Sequence, residues 1–566
     1  MSLQFITGNS GNGKTKYLFN RIVKEAKANP RDNYLVIVPE QFTMQTQRQL
    51  VDLSENKAIM NIDVLSFKRL AYRVFDELGI TNLTVLEETG KNLVLRKLAA
   101  QEADKLGVIG RNLNRIGYIS EVKSLLSELV QYNISPEELG RYIASGRLSD
   151  TLSDKLKDVL VLYEAFEKFM QDKYITAEEI LNVLCNVAEE SAILRNSVIA
   201  FDEFTGFTPI QNQLIKKLFV ISKKIYVTLT IDCREDIFKS RGMQELFDMP
   251  KRTVKSLTEM AAFYGIEVEE PIILDKNYRL AENEELSFME QQLFRKRRCS
   301  FKKAPKHIHI DCLRDPKQEL TKIARTINEL VRKENLRYRD IAIVTGDVNI
   351  YAGYVREIFD KYNIPYFIDD TQEILFHPFI EFIRSIPDIA AQNFSADAVF
   401  RFLRCGFTEL TDSEIDVLEN YVLACGVRGK SAWDKKWVRL PKHKAGYDLE
   451  LLNQSREYIM ELLKPVYQVF SDKKSTVKDY VLAIYKLIVL LDIPDKLAKK
   501  EQALLDAGDQ TASKEYGQIY KIVMQLFEKY VAVLGDECMD AEEFTEILEA
   551  GLDAADVGVI PPGYDT

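Results

Sequence analysis

Two spacings of apolar residues alternate along this chain. Short apolar runs rich in β-branched side chains, LQFIT at 3–7 and YLVIV at 34–38, each stop at a turn signal and flank an amphipathic stretch from Lys14 to Ala28. That order predicts strand, loop, helix and strand, the opening of a parallel α/β sheet. From about 86 to 190 the spacing changes to three and four residues, as in Leu125, Leu126, Leu129 and Val130, and predicts helices. Ser135-Pro136-Glu137-Glu138 supplies a hydroxyl N-cap, a first-turn proline and a carboxylate three residues on, the signature of a capping box. Strands resume at 198–202 (VIAFD) and 225–231 (IYVTLTI), so the first sheet continues after a helical insertion. HIHIDCL at 307–313, a helix over Lys317–Lys333 and DIAIVTGD at 340–347 predict a second strand–helix–strand unit. From about 386 to 550 the pattern is again mainly helical, with Thr411-Asp412-Ser413-Glu414 and Asp540-Ala541-Glu542-Glu543 as helix starts.

The expected fold class is therefore α/β, with two α/β domains that each carry a mainly helical insertion. The first domain is expected at 1–85 and 191–300 around the insertion 86–190. The second opens at 301–385, is interrupted by 386–550, and resumes at 551–566. A length of 566 residues suits several domains of ordinary size. The net charge of −10 argues against a DNA-binding field over the whole surface, but leaves room for a local basic groove. The most basic run, Arg295-Lys296-Arg297-Arg298 followed by Lys302, Lys303 and Lys306, reads as a solvated linker between domains rather than a DNA contact. The seven cysteines are scattered without a C-x-x-C pair, which gives a zinc site or disulfide framework no support. His307 and His309 alternate, as two positions on one face of a strand do. No apolar run approaches the roughly 18 residues of a membrane span, and the opening MSLQFITGNSG leaves no room for a signal peptide. A cytoplasmic location, away from any membrane, is the expectation.

Gly8-Asn9-Ser10-Gly11-Asn12-Gly13-Lys14-Thr15 matches G-x-x-x-x-G-K-[ST] in full, with a strand before it and a helix after it. Glycines let backbone N–H groups turn inward around a phosphate, and the helix N-terminus adds its positive dipole end. Lys14 is expected to reach the β- and γ-phosphates of ATP, and the Thr15 hydroxyl to bind Mg²⁺. An acidic pair at the end of a neighbouring buried strand completes such a site. In Val198-Ile199-Ala200-Phe201-Asp202-Glu203, Asp202 is the candidate Mg²⁺ holder, and Glu203 the candidate catalytic group that orients or deprotonates the attacking water.

Asp202-Glu203-Phe204-Thr205-Gly206-Phe207-Thr208-Pro209-Ile210-Gln211 resembles motif II of superfamily 1 helicases, and the G-x-x-G-x-G-K-T loop is that superfamily's variant. Val64-Leu65-Ser66-Phe67-Lys68-Arg69-Leu70 resembles the segment that follows the DNA strand, and Tyr174–Ile180 the element just before motif II. Asn277-Tyr278-Arg279 resembles the motif IV triplet whose arginine contacts the γ-phosphate, so the resemblance adds Arg279 to the nucleotide contacts. Leu336–Val344, Ile364–Asp369, Glu419-Asn420-Tyr421-Val422 and Gly426–Lys430 followed by Trp433 are typical of the AddB family, the B subunit of the bacterial AddAB ATP-dependent helicase/deoxyribonuclease. The chain is identified as similar to that family's N-terminal half. The resemblance implies two RecA-like P-loop domains, the second incomplete at the C-terminus, and an AddA-type helicase–nuclease partner. It further implies action on double-strand DNA ends and single strands in recombinational repair. Chi recognition, 5′→3′ exonuclease activity and a 4Fe–4S cluster are expected only of the full-length form.

Asp232-Cys233-Arg234-Glu235-Asp236 departs from the superfamily pattern, because motif III usually carries a glutamine shortly after its aspartate. That favours a helicase-like partner over a motor, and the chain alone is expected to be neither motor nor nuclease. Glu121-Val122-Lys123 and Asp434-Lys435-Lys436 have an acid-x-Lys shape but read as solvated helical faces. Trp433 and Trp437 read as anchors of an amphipathic helix rather than a platform for stacked bases. Two alternatives remain: an autonomous superfamily 1 DNA translocase, and a structural DNA-recognition module with a non-hydrolysing P-loop.

Overall fold

The computed structural model describes residues 1–80, 85–86, 88–108, 116–146, 148–170, 174–295, 299–368, 371–373, 376–441, 447–553 and 556–558. Lys296, Arg297 and Arg298 of the basic run, and the last eight residues, lie outside this set. The chain forms two compact units, Met1–Leu86 with Ser124–Asp311, and Glu87–Lys123 with Cys312–Thr566.

The first unit is built on a parallel sheet. Its strands are β1 (Ser2–Gly8), β2 (Tyr34–Ile37), β3 (Ile62–Leu65), β6 (Val198–Phe201), β7 (Lys224–Thr230) and β8 (Glu267–Val268), in the order β3-β2-β6-β7-β1-β8, with β9 (Ile272–Leu274) also paired to β1. The remaining two, β4 (Val85–Leu86) and β5 (Ile175–Thr176), pair separately. Each apolar run has a face for every residue, because helices cover both sides of the sheet. Leu35, Ile37, Ile199, Phe201, Ile225 and Val227 pack to one side, while Tyr34, Val36, Val198, Ala200 and Tyr226 pack to the other. Helix α1 (Lys14–Ala28) buries Leu18, Phe19, Ile22 and Ala26 against the second side. The second helix is α2 (Thr43–Leu53). Helix α3 (Phe67–Leu78) buries Phe67, Leu70, Ala71, Val74 and Phe75 against the first side. Burying such a side chain stabilises by about 1.5–3 kcal/mol, so these two faces dominate the unit's stability.

The second unit is mainly helical. Pro378–Ala391, Ala396–Leu403, Asp412–Cys425, Leu449–Ser471, Val477–Leu490, Gln510–Leu534 and Ala541–Asp553 surround one apolar core. Trp433 and Trp437 are buried in it, with ring centroids 5.2 Å apart, so neither offers a face to a base. The second strand–helix–strand expectation is corrected in part. Its helix forms, over Pro316–Glu334, but 307–313 and 341–347 join no ladder among the described residues. A strand is stable only beside a neighbour that takes its N–H and C=O groups. Here Ile310 and Val344 remain more than 90% exposed. His307 is held instead by its backbone N–H, which donates to Glu285 Oε2 at 2.9 Å. The helices Pro316–Glu334 and Asn349–Tyr362 pack together through Leu320, Ala324, Ile327, Ile358 and Phe359, and an open apolar groove of about 750 Å³ lies beside Ile341, Val344 and Ile364. Thr371–Glu373 and Asp556–Gly558 form a two-stranded antiparallel pair. The fold is thus α/β with a mainly parallel sheet in the first unit.

Candidate nucleotide site

All the sheet's main strands run parallel, so their carboxyl ends share one edge, where ligands of such sheets bind. Strand β1 ends at Gly8 and β6 at Phe201, and the phosphate loop and the Asp202-Glu203 pair meet there. The loop's glycines answer specific constraints. Gly11 and Gly13 adopt φ of +87° and +77°, a region open to glycine. A Cβ on Gly8 would sit 2.5 Å from the Leu274 carbonyl oxygen, and one on Gly11 2.9 Å from Asn277 Oδ1.

Lys14 Nζ donates to the carbonyls of Gly8 (3.1 Å) and Asn9 (3.0 Å), folding over its own loop. Burial pushes its ammonium below the usual lysine range, opposed by the carboxylates of Glu203 and Asp202. The Thr15 hydroxyl donates to Glu203 Oε1 at 3.2 Å. Glu203 holds φ at +63°, a left-handed backbone that costs a non-glycine residue about 1–3 kcal/mol, as at many functional sites. Asp202 is 1% exposed. The Thr228 hydroxyl donates to its Oδ1, while Oδ2 is buried without a hydrogen-bond partner. Burial raises its carboxyl above the usual range, the Thr228 hydrogen bond lowers it, and Glu203 raises it further. A buried, orphaned carboxylate oxygen beside a threonine hydroxyl fits a divalent cation. Among the described residues no three His, Cys, Asp or Glu side chains cluster as a full metal cage. Mg²⁺ needs none, since it typically takes one or two protein ligands and fills its shell with phosphate oxygens and water.

A cavity of about 730 Å³ joins these groups, and Ser10, Gly11, Gly13, Lys14, Thr15, Asp202, Glu203 and Arg279 all line it. Gly8, Asn9 and Asn12 shape the loop from behind, and Asn12 Nδ2 donates to the Leu274 carbonyl at 2.6 Å. Three further residues support the site: Thr228, which escaped the sequence reading, and Asn277 and Tyr278, which entered it only as companions of Arg279 in the triplet resembling motif IV. The signal for Thr228 was a polar residue inside the buried strand KIYVTLT. Asn277 Nδ2 donates to the Ser10 carbonyl at 3.0 Å. The Tyr278 N–H donates to the Gly11 carbonyl at 3.0 Å, and its ring lies against Gly13. The triplet's likeness to motif IV pointed to the segment but not to these two contacts, which join loops more than 260 residues apart.

Lys68 and Arg69 lie exposed in the first turn of α3, capped by Ser66, whose hydroxyl accepts the Arg69 N–H at 3.3 Å. Arg69 Nε stands 3.8 Å from Glu40. Among the described residues, no helix is long and apolar enough to cross a membrane.

The family model described as "ADDB, N-terminal" matches residues 5–290. Over its whole length the chain is 39% identical to the B subunit of the ATP-dependent helicase/deoxyribonuclease of Lachnoclostridium phytofermentans, of which it covers 50%. It is 32% identical to the protein of the same name from Clostridium acetobutylicum, again covering 50%, and 31% to that of Clostridium novyi, covering 49%. The chain thus spans about half the length of these relatives.

Proposed function

The chain belongs to the AddB family, and on that premise we propose that it is the ATP-binding, helicase-like half of one subunit in a heterodimeric DNA helicase–nuclease. The observation that carries this reading is the convergence of Lys14, Thr15, Asp202 and Glu203 on one cavity. In use, Lys14 leaves the Gly8 and Asn9 carbonyls for the β- and γ-phosphates of ATP, and the loop N–H groups take the remaining phosphate oxygens. Thr15 and Asp202 hold Mg²⁺, which supplies charge neutralisation along the phosphates. Glu203 orients the attacking water and accepts its proton, and Arg279 neutralises charge at the γ-phosphate.

The whole protein's role follows as part of the same proposal. Two RecA-like domains with helical insertions, paired in the cytoplasm with an AddA-type partner, process double-strand DNA ends for recombinational repair. Chi recognition, the 5′→3′ exonuclease and the 4Fe–4S cluster belong to the full-length form. The reading as a helicase-like partner rather than an autonomous translocase is supported at Asp232, whose carboxylate is engaged by Arg234 and Arg295, in a segment, Asp232–Asp236, that holds no glutamine.

A thermal melt tests the site. With Mg²⁺ and ATP at 100 times the dissociation constant, binding to the folded state adds about 2.7 kcal/mol and raises Tm. Chelating the magnesium should remove most of that rise. A Tm indifferent to Mg²⁺–ATP at millimolar concentration would refute the proposal.

A further inference from the structure

Asn9, second in the phosphate loop, is 5% exposed and does not line the cavity. Its main chain faces the phosphate side, where its carbonyl accepts from Lys14 Nζ and from the Asn12 N–H at 3.2 Å. Its side chain turns the other way. Oδ1 accepts from the Cys233 N–H at 2.9 Å, and Nδ2 donates to Glu290 Oε1 at 3.0 Å.

Those two contacts lead into an ion cluster. Glu290 lies 4.0 Å from the Arg295 guanidinium, and Arg295 Nε donates to Asp232 Oδ2 at 3.0 Å. Arg234 grips the same carboxylate through one edge of its guanidinium, Nε donating to Oδ1 at 2.8 Å and Nη2 to Oδ2 at 2.5 Å. Arg234 also donates to the Gln291 carbonyl at 2.9 Å. Asp232 is buried, and the Arg295 guanidinium stacks 4.6 Å from the Phe247 ring. Bidentate arginine–carboxylate pairs fix geometry as well as supplying energy. The cluster is therefore a firm anchor, and Asn9 is its link to the loop.

We propose that Asn9 is a positioning residue whose carboxamide ties the phosphate loop to the Asp232–Arg295–Glu290 cluster, so that nucleotide affinity depends on side chains that do not line the cavity. This rests on the nucleotide-binding reading above. The carboxamide suits the place because it offers one acceptor to Cys233 and one donor to Glu290. Asn9→Asp keeps the size and the acceptor, but sets a carboxylate oxygen against Glu290 Oε1. Like charges at such a separation repel. Adding Glu290→Gln reverses the polarity of the bond: the new amide donates to the new carboxylate, and the link is restored.

Calorimetric titration of Mg²⁺–ATP into the wild type, Lys14→Ala, Asn9→Asp, Glu290→Gln and the Asn9→Asp/Glu290→Gln double variant tests this, with each fold checked by its melt. Asn9→Asp should weaken binding about tenfold, the scale of one hydrogen bond to a charged group. The double variant should recover to within about threefold of wild type, a rescue that a merely space-filling role would not give. If Asn9→Asp melts early, Arg295→Met probes the same link from the far end, and should weaken binding several-fold. The inference is overturned if Asn9→Asp binds like the wild type, if the double variant stays as weak as the single one while melting normally, or if Arg295→Met leaves affinity unchanged. A wild type that binds no Mg²⁺–ATP, or a Lys14→Ala that binds it equally, overturns the nucleotide reading itself and this inference with it.

Discussion

Asp202 carries the sharpest conflict between stability and function in the site. Its carboxyl is buried with one oxygen unpartnered, and burial raises it above the usual range. The folded state therefore binds this proton more tightly than the unfolded one. Between the unfolded and the raised folded value, the native state holds more protons, so stability falls as pH rises through that window. Above the unfolded value the buried carboxyl therefore opposes folding until a cation compensates it. Asp202→Asn should accordingly melt above the wild type at pH 7 without magnesium, yet lose the Mg²⁺–ATP-dependent rise in Tm. Paired melts with and without Mg²⁺–ATP check both halves. An Asp202→Asn variant that retains the full ligand-dependent rise would remove Asp202 from the metal site.

Among the elements, the helix Pro209–Ile221 fixes where the acidic pair can stand, because it begins six residues after Glu203. Thr208 and Gln211 cap it reciprocally: the Thr208 hydroxyl accepts the Gln211 N–H, and Gln211 Oε1 accepts the Thr208 N–H at 2.9 Å. Thr208→Ala should cost about 1 kcal/mol, and Thr208→Ser very little. Urea unfolding followed by circular dichroism measures the difference; equal midpoints for Thr208→Ala and wild type would show that the cap contributes nothing. The strands at Leu3, Val36 and Ile199 could be read because each is a short, mainly apolar run that ends at a turn signal, and the loop Gly8–Thr15 because its glycine and lysine spacing is that of a phosphate-binding loop. The acidic pair was legible from its place at a buried strand's end. Residues 307–313 and 341–347 carry strand-like composition but join no ladder among the described residues, since pairing depends on a neighbour that local sequence does not reveal. The carboxamide contacts of Asn9 and Asn277 were invisible for a related reason: each joins segments far apart in the chain, and asparagine is equally at home in any loop.

For the whole molecule, a net charge of −10 requires that any DNA contact be local. Lys68 and Arg69 offer such a place, exposed at the start of α3. The 3.8 Å pairing of Arg69 with Glu40 is a surface ion pair, a class worth at most about 1 kcal/mol, which a phosphate can displace. Each phosphate contact contributes about 0.7 to the logarithmic salt slope for single strands. Lys68→Ala/Arg69→Ala should therefore flatten that slope by about 1.4 and weaken binding. Affinity and slope unchanged in the double variant would place the DNA path elsewhere.

Binding of Mg²⁺–ATP by the Gly8–Thr15 loop through Lys14 is tested most directly by calorimetry on the wild type and Lys14→Ala. A hydrogen bond from a charged group stabilises by about 1.5–3 kcal/mol, so removing the ammonium should weaken binding by between about tenfold and about 150-fold. Equal affinity for Mg²⁺–ATP in the two proteins, both folded, would contradict the account.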